Sequence, residues 1–490
     1  MRLWIGVHLP LLPLETFRPR WSEPGLHAVV ERERVLVMTP EASGSGVRIG
    51  MRRGGVAAIV TGVTLHERDP VREAAALDGI ALTLLQYTPE VALADAVSLL
   101  LDVTASLSAF GGRLALCRRV RSSVLALGFT ARISMAPTAQ GAWLLACRSG
   151  GRPLARGRRS LRMESMARRL DALPFALLPA AARYQEWLDG IGCRTLGDLR
   201  KLPRAGLQRR AGKEVLEQLD RAYGQAPELF DWVQPPPAFS ARLELPDRVE
   251  HAEAVLFAAR RLVMQMVGWL VAQQLAVSCF VLLLEHERGR SAVPPTPLEI
   301  VLAEAAWQED HLIRLLKERL GRLELSAPVI ALRLQASRLS AMAPPTASLF
   351  PEPGGTAADY KRLLELLTAR LGAGSVLAPA PQADYRPEVS NGWMPATQQQ
   401  RAAYCAAIDT ERPFWLLEKP VALLLRDHRP FYGSPLRLVS GPERIECGWW
   451  DSAFAVRDYF VAQGTEGACY WVYRDRGDVD TRWFLHGLFA

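Results

Sequence analysis

Paired cysteines are missing from this chain. Its seven cysteines, Cys117, Cys147, Cys193, Cys279, Cys405, Cys447 and Cys469, stand far apart, with no CxxC pair and no Cys/His cluster at zinc spacing. That excludes a disulfide scaffold or a zinc module and fits a reducing, cytoplasmic setting. An export signal is not expected, because Pro10 and Pro13 interrupt the only amino-terminal apolar run. Long apolar runs are also scarce. The one membrane-like stretch, Leu262 to Leu284, contains Gln265, Gln273 and Gln274 and reads as an amphipathic helix running into a strand, so no transmembrane segment is expected. Gly44, Gly46 and Gly50 fit neither G-x-G-x-x-G nor Walker spacing, which argues against a nucleotide loop.

What remains is ordinary globular material. With 490 residues, 49% hydrophobic and 22% charged, the chain is long enough for about three domains with large cores. An excess of 59 basic over 51 acidic residues gives +8 and a pI near 9.3, which favours a polyanionic partner without specifying it.

The organising stretch is Ala94 to Gly112. Val97 to Val103 holds five apolar and two polar residues, the pattern of a central strand covered on both faces. Leu3 to His8 has the character of a first strand, and Val35 to Met38 of another. From Leu173 to Gly224 the chain turns helical, and Ile191 to Leu199 reads as a tight hairpin between two helices. Gly192 allows a close backbone approach there, and Lys201, Arg204, Arg209, Arg210 and Lys213 follow Thr195 and the rest of the hairpin. Such a cluster suits phosphate binding, and a plain helical turn with a solvated basic face gives the same pattern.

After the linker Gln234 to Ala238 comes a βαββαβ order: strand Ala241 to Leu245, helix Ala252 to Gln273, strands Ala276 to Glu285 and Leu298 to Leu302, helix Gln308 to Leu320, strand Val329 to Gln335. Ala341 to Thr356, rich in Pro, Ala and Gly, reads as an exposed connector. Within it Thr346, Ala347, Ser348, Leu349 and Phe350 place two large apolar side chains in an otherwise small and polar segment, where they could anchor a partner or pack on their own domain. A helix at Ala358 to Leu371 precedes a β-rich tail dense in Trp, Tyr and Arg, residue types that build cores and also dominate interfaces.

Several of these segments resemble Y-family DNA polymerases. Leu101-Asp102-Val103-Thr104 matches the end of the palm strand Ser-Ile-Asp-Glu-Ala-Tyr-Leu-Asp-Val-Thr, which puts Val97 and Ser98 where that family has its acidic pair. Aligning Glu15 on the amino-terminal motif puts Gly6 and His8 at its acidic positions. The triphosphate-contacting Tyr and Arg fall on Pro40 and Ser43. Ser134 to Thr138 resembles Gly-Ile-Ala-x-Asn-Lys with Ala139 in place of the lysine, and Arg152-Pro153 takes the place of the Lys-Pro beyond it. Ile191 to Leu199 resembles the helix-hairpin-helix of the thumb. Two-metal phosphoryl transfer needs carboxylates holding two divalent ions roughly 3.5 to 4 Å apart, and valine, glycine and serine do not supply them. Asp95 is the nearest acid on the same strand face as Val97, and at about 3.3 Å per residue it lies about 7 Å away, too far to stand in. Asp102 falls on the opposite face from Val97, which gives it a structural role in bonding backbone or a neighbouring turn.

The resemblance implies an α+β multidomain fold: palm and fingers over 1–165 (fingers about 16–75), a helix-hairpin-helix thumb over 166–233, and a βαββαβ little finger over 238–340. A linker over 341–357 and a β-rich partner-binding region over 358–490 complete it. The tail motifs RPFWLL, GPERIECGWW, RDYF and WFLHGLF resemble the ImuB family of bacterial SOS mutasomes, non-catalytic Y-family homologues. That resemblance implies a translesion-synthesis scaffold without metal or cofactor. It would bind DNA irrespective of sequence through Gly192, Thr195, Lys201, Arg204, Arg209, Arg210 and Lys213, and the sliding clamp through Thr346 to Phe350. Its further partners would be ImuA and an error-prone replicative-type polymerase. The rivals are an active Y-family translesion polymerase with altered metal ligands and a DNA-binding module with no assembly role.

Overall fold

The computed structural model describes residues 2–20, 22, 24–148, 159–287, 294–325, 327–342, 357–372, 374–396, 398, 411–451, 453–477 and 482–489. They form two compact units, Met1–Pro353 and Gly354–Ala490. Thr346 to Phe350 and Arg152-Pro153 lie outside the described residues.

The first unit is built on a four-stranded antiparallel sheet. Its elements in chain order are β1 (Trp4–His8), α1 (Pro70–Leu84), β2 (Val91–Asp95), β3 (Ser98–Asp102), α2 (Arg113–Ala126), β4 (Arg132–Ala136) and α3 (Ala139–Cys147). The strand order is β2-β3-β1-β4, so β3 and β1 are central. Strand alternation sorts their side chains between two faces. Ile5, Val7, Leu99, Leu101, Ile133 and Met135 share a core with α1 and α2. Trp4, Leu100 and Ala136 face α3 on the other side. Every residue of β3 is buried, as a run apolar on both faces requires. Between β1 and α1, strands His27–Glu31, Arg34–Met38 and Thr64–Glu67 form a separate three-stranded sheet around Ala28, Val30, Val35 and Val56.

A helical segment follows: α4 (Met163–Asp171), α5 (Gln185–Gly190), α6 (Leu196–Lys201) and α7 (Arg204–Ala222), the last kinked at Gly212, whose φ is +79°. Beyond it lie β5 (Ser240–Val249), α8 (Ala252–Gln273), β6 (Leu275–His286), β7 (Thr296–Ala306), α9 (Glu309–Leu320) and β8 (Val329–Ala341). This is the βαββαβ order read from the sequence, closed into an antiparallel sheet of order β7-β6-β8-β5. Among the described residues one helical stretch is long and apolar enough to span a bilayer, Ala254–Gln273 of α8, and 72% of its apolar window is buried in protein.

That burial comes from packing α8 against α1. Met264 joins the core beneath the first sheet, and Gly268 meets the backbone of Leu82 and Thr83 on α1. Arg261 is buried with its guanidinium 4.5 Å from the Phe129 ring centroid, and desolvation lowers its pKa to about 10, so it stays charged at neutral pH. At the same junction Arg18 bonds Asp247 of β5 (2.8 Å), and Arg72 of α1 pairs with Glu244 of β5.

The second unit holds helix Ala357–Leu371, a hairpin of Leu377–Pro381 with Asn391–Pro395, and an eight-stranded antiparallel sheet between Trp415 and Leu488. Its aromatic motifs divide into two sets. Tyr459, Trp471, Tyr473 and His486 stack as its interior, with Tyr459 Oη 2.8 Å from His486 Nδ1. Asp458 is buried between Arg444 (2.8 Å) and Arg474 (2.9 Å), and the Arg444 hydrogen bond holds its carboxyl below the usual range. Arg386 likewise clasps Asp384 and Asp451. Trp393, Phe414, Trp415, Trp449, Trp450 and Phe454 are exposed.

Candidate functional site

Of the positions that the polymerase resemblance singles out, Gly6, His8 and Ser98 meet on the α3 face of the first sheet, while Val97 packs against the core on the other face. Gly6 pairs with Leu100 of β3 and Ser134 of β4, and His8 pairs with Ser98 and Arg132. A Cβ on Gly6 would lie 2.7 Å from Ala142 O and 2.7 Å from Ser134 Oγ, inside van der Waals contact with the backbone of α3. Ser134 Oγ–H donates to Ala142 O, tying helix to sheet at this point. Glycine at position 6 therefore permits the close helix–sheet packing. His8 Nδ1 lies 2.9 Å from Ser98 Oγ and 3.8 Å from Cys147 Sγ. Burial pushes the Cys147 thiol up to about 12, so it is protonated at neutral pH.

The acids near this face have other work. Asp95 does not continue the strand of Val97. Ala96 and Val97 form a hairpin turn, and Asp95 pairs directly with Ser98 across it, which corrects the single-strand reading. Its Oδ1 accepts from Val97 N (2.8 Å) and its Oδ2 from Trp143 Nε1 (2.7 Å). Asp102 Oδ1 accepts from Thr104 N (3.0 Å) and Thr104 Oγ1 (2.5 Å), closing the turn after β3. No group of three His, Cys, Asp or Glu side chains with metal-binding geometry occurs among the described residues.

Helix α3 starts with Thr138, whose Oγ1 accepts from Gly141 N (3.1 Å), and the Glu228 carboxylate accepts from Ala139 N (2.9 Å) and Gln140 N (2.6 Å). Ala139 stands where the resemblance expects a lysine, and here an internal carboxylate occupies that helix end. Sequence reasoning missed Glu228, which carries no local signal 89 residues away. Pro40 and Ser43 are exposed on a short helix, Pro40–Gly44, remote in sequence from this face.

In the helical segment, Gly192 (φ +80°) turns the chain between α5 and α6, and Thr195 caps α6 in a reciprocal box with Asp198. Lys201 ends α6, Arg204, Arg209 and Arg210 lie on α7 before its kink, and Lys213 follows the kink. Arg204 grips Asp220 through both Nη atoms (2.9 and 2.7 Å), and Lys213 pairs with Glu217 (2.9 Å). Lys201 is 4.0 Å from Asp198, and Arg210 sits 5.8 Å from the Trp187 ring. Arg209 is exposed and makes no ion pair among the described residues.

Residues 21–147 of this chain, which span the small sheet and most of the first sheet, match the impB/mucB/samB family. Among curated proteins it is similar to Protein ImuB of Caulobacter vibrioides, strains NA1000 / CB15N and ATCC 19089, at 26% identity over 468 residues, 91% of this chain and 100% of the relative. Among solved structures, an insertion ternary complex of Dbh DNA polymerase is 16% identical and covers 70% of this chain and 100% of its own, with a TM-score of 0.38. DinB from Sulfolobus solfataricus is 17% identical, covering 68% and 98%, with a TM-score of 0.37.

Proposed function

We propose that this chain is a non-catalytic Y-family homologue that serves as a DNA-binding scaffold in damage-induced translesion synthesis. It would link the sliding clamp, ImuA and an error-prone polymerase in an SOS mutasome. The observation that carries the non-catalytic part is the packing at Gly6: no side chain fits there, and Val97 and Ser98 bring no carboxylate to the same strand ends. Without those charges nothing offsets a pair of Mg2+ ions. The rival, an active polymerase with altered ligands, draws on Asp95, which lies beside Ser98, yet both Asp95 oxygens already accept hydrogen bonds. Primer extension with Mg2+ and with Mn2+ separates the two: the scaffold reading expects no template-directed incorporation, and extension lost on Asp95→Asn would establish the rival.

Partner assembly is tested by capture with purified clamp and ImuA. Leu349 and Phe350 are assigned as clamp anchors on the resemblance of their segment to the clamp peptide Gln-Leu-Ser-Leu-Phe, from which Thr346 and Ala347 depart. Burying each anchor would contribute about 1.5 to 3 kcal/mol, so Leu349→Ala with Phe350→Ala should abolish a micromolar complex worth about 8 kcal/mol. Restoring Gln at 346 and Leu at 347 should tighten it. Calorimetry showing equal affinity for the double alanine variant would move the contact elsewhere. The exposed Trp393, Phe414, Trp415, Trp449 and Trp450 are the proposed contact set for the remaining partners.

A further inference from the structure

The chain's positive charge is not where the helical hairpin would put it. Residues 171–233, which contain that hairpin, hold nine basic and nine acidic residues and are formally neutral. Residues 103–170 hold thirteen arginines and a single acid, Glu164, a formal +12. The rest of the chain carries 46 basic and 50 acidic residues, so this one stretch supplies the whole positive excess.

The fold draws part of that charge together at the β4 edge of the first sheet. Gly111 and Gly112, with φ of +74° and +89°, turn the chain into α2, whose first residue is Arg113. Arg159 extends the sheet beyond β4: it bridges Met135 in parallel, and Ser160 N donates to Met135 O (2.8 Å). Arg169 comes from α4. These three arginines, with Leu114, Met135 and Leu161, line a cavity of about 360 Å³, and no acid is among its described lining residues. Arg113 and Arg159 make no ion pair among the described residues, whereas Arg204 and Lys213 of the hairpin region do. The first turn of α2 adds backbone N–H groups and the positive end of a helix dipole beside Arg113. Leu114 and Leu161 are exposed at the rim, an apolar surface beside the cations.

Like charges converging from three elements repel one another, so the arrangement is complementary to an anion. We infer that Arg113, Arg159 and Arg169 form a nucleic-acid backbone site at the β4 edge, separate from the helical hairpin, that seats phosphodiester groups of bound DNA. The ligand class follows from the surroundings: the cavity sits in a stretch of +12, an excess that a polyanion neutralises and one small anion does not. Guanidinium groups suit phosphate because their planar donors grip two oxygens at once.

This inference rests on the reading of the chain as DNA-binding, and the test separates the two. Fluorescence anisotropy of the full chain on labelled primed duplex, titrated with salt, reads the number of phosphate contacts. The R113Q/R159Q/R169Q variant should flatten the slope of log K against log salt by about 2.7 and weaken binding about a hundredfold at 0.15 M salt. R113K/R159K/R169K keeps the charge and should restore the slope, which a folding defect would not allow. K201Q/R209Q/R210Q should change the slope less. A parental slope in the glutamine variant alongside loss in the hairpin variant overturns this site and leaves DNA binding intact. Absence of salt-dependent binding by the wild-type chain overturns both.

Discussion

Gly268→Ala should destabilise the first unit by about 3 kcal/mol and lower its melting midpoint by several degrees, the cost of forcing a methyl group into backbone that cannot yield. A Cβ at this position would overlap Leu82 O and lie 2.7 Å from Leu82 C and 2.8 Å from Thr83 Cα, all main-chain atoms of α1. Only a shift of one whole helix relieves that clash. The shift would loosen Met264 from the core under the first sheet and Arg261 from Phe129, and it would strain the Arg18–Asp247 and Arg72–Glu244 pairs. The matched control is Gly206→Ala on α7, where a Cβ meets nothing within 4 Å and alanine's helix propensity should add up to about 1 kcal/mol. Thermal or urea unfolding of the two variants decides the matter. Equal stability of Gly268→Ala and wild type would mean that the α1–α8 crossing is not a fixed part of the fold.

The same helix illustrates what the sequence made legible. The βαββαβ order could be read because each element carries its own signal: a 22-residue apolar-rich helix in α8, alternation in β6 and β8, an amphipathic stripe in α9. The buried central strand β3 was readable for the same reason. The hairpin at Ala96 and Val97 was not, since neither residue is a turn former, and missing it moved Asp95 from beside Ser98 to a distant place on one strand. Ion pairing is tertiary as well: Asp220 lies sixteen residues beyond Arg204, so the pairing of that cation could not be read from the run itself. The arginine stretch was visible in principle, but averaging charge over the whole chain diluted +12 to +8. The aromatic tail shows the opposite limit. Composition cannot tell Trp471, buried and stacked on Tyr459, from Trp449, which is exposed, because only the strand pairing assigns a face.

Returning carboxylates to the first sheet should not return a polymerase. In Gly6→Asp with Val97→Asp and Ser98→Glu, the new side chain at position 6 must displace Ala142 O and Ser134 Oγ, both 2.7 Å from its Cβ, and it arrives as a charge on a face sealed by α3. Overpacking and an unpaired buried carboxylate each cost about 1 to 3 kcal/mol or more. The Ser98 substitution also removes the hydroxyl that His8 Nδ1 contacts at 2.9 Å. Val97 is only half-buried at the hairpin turn, so Val97→Asp alone should cost much less than Gly6→Asp alone. The expected result is a triple variant at least about 4 kcal/mol less stable than the parent, with no extension of a primed template in Mg2+ or Mn2+. The outcome that would sink this is a triple variant that melts with the parent and extends primers. The helix over Gly6 would then have moved aside, and the covered face would be a closed state of a working site.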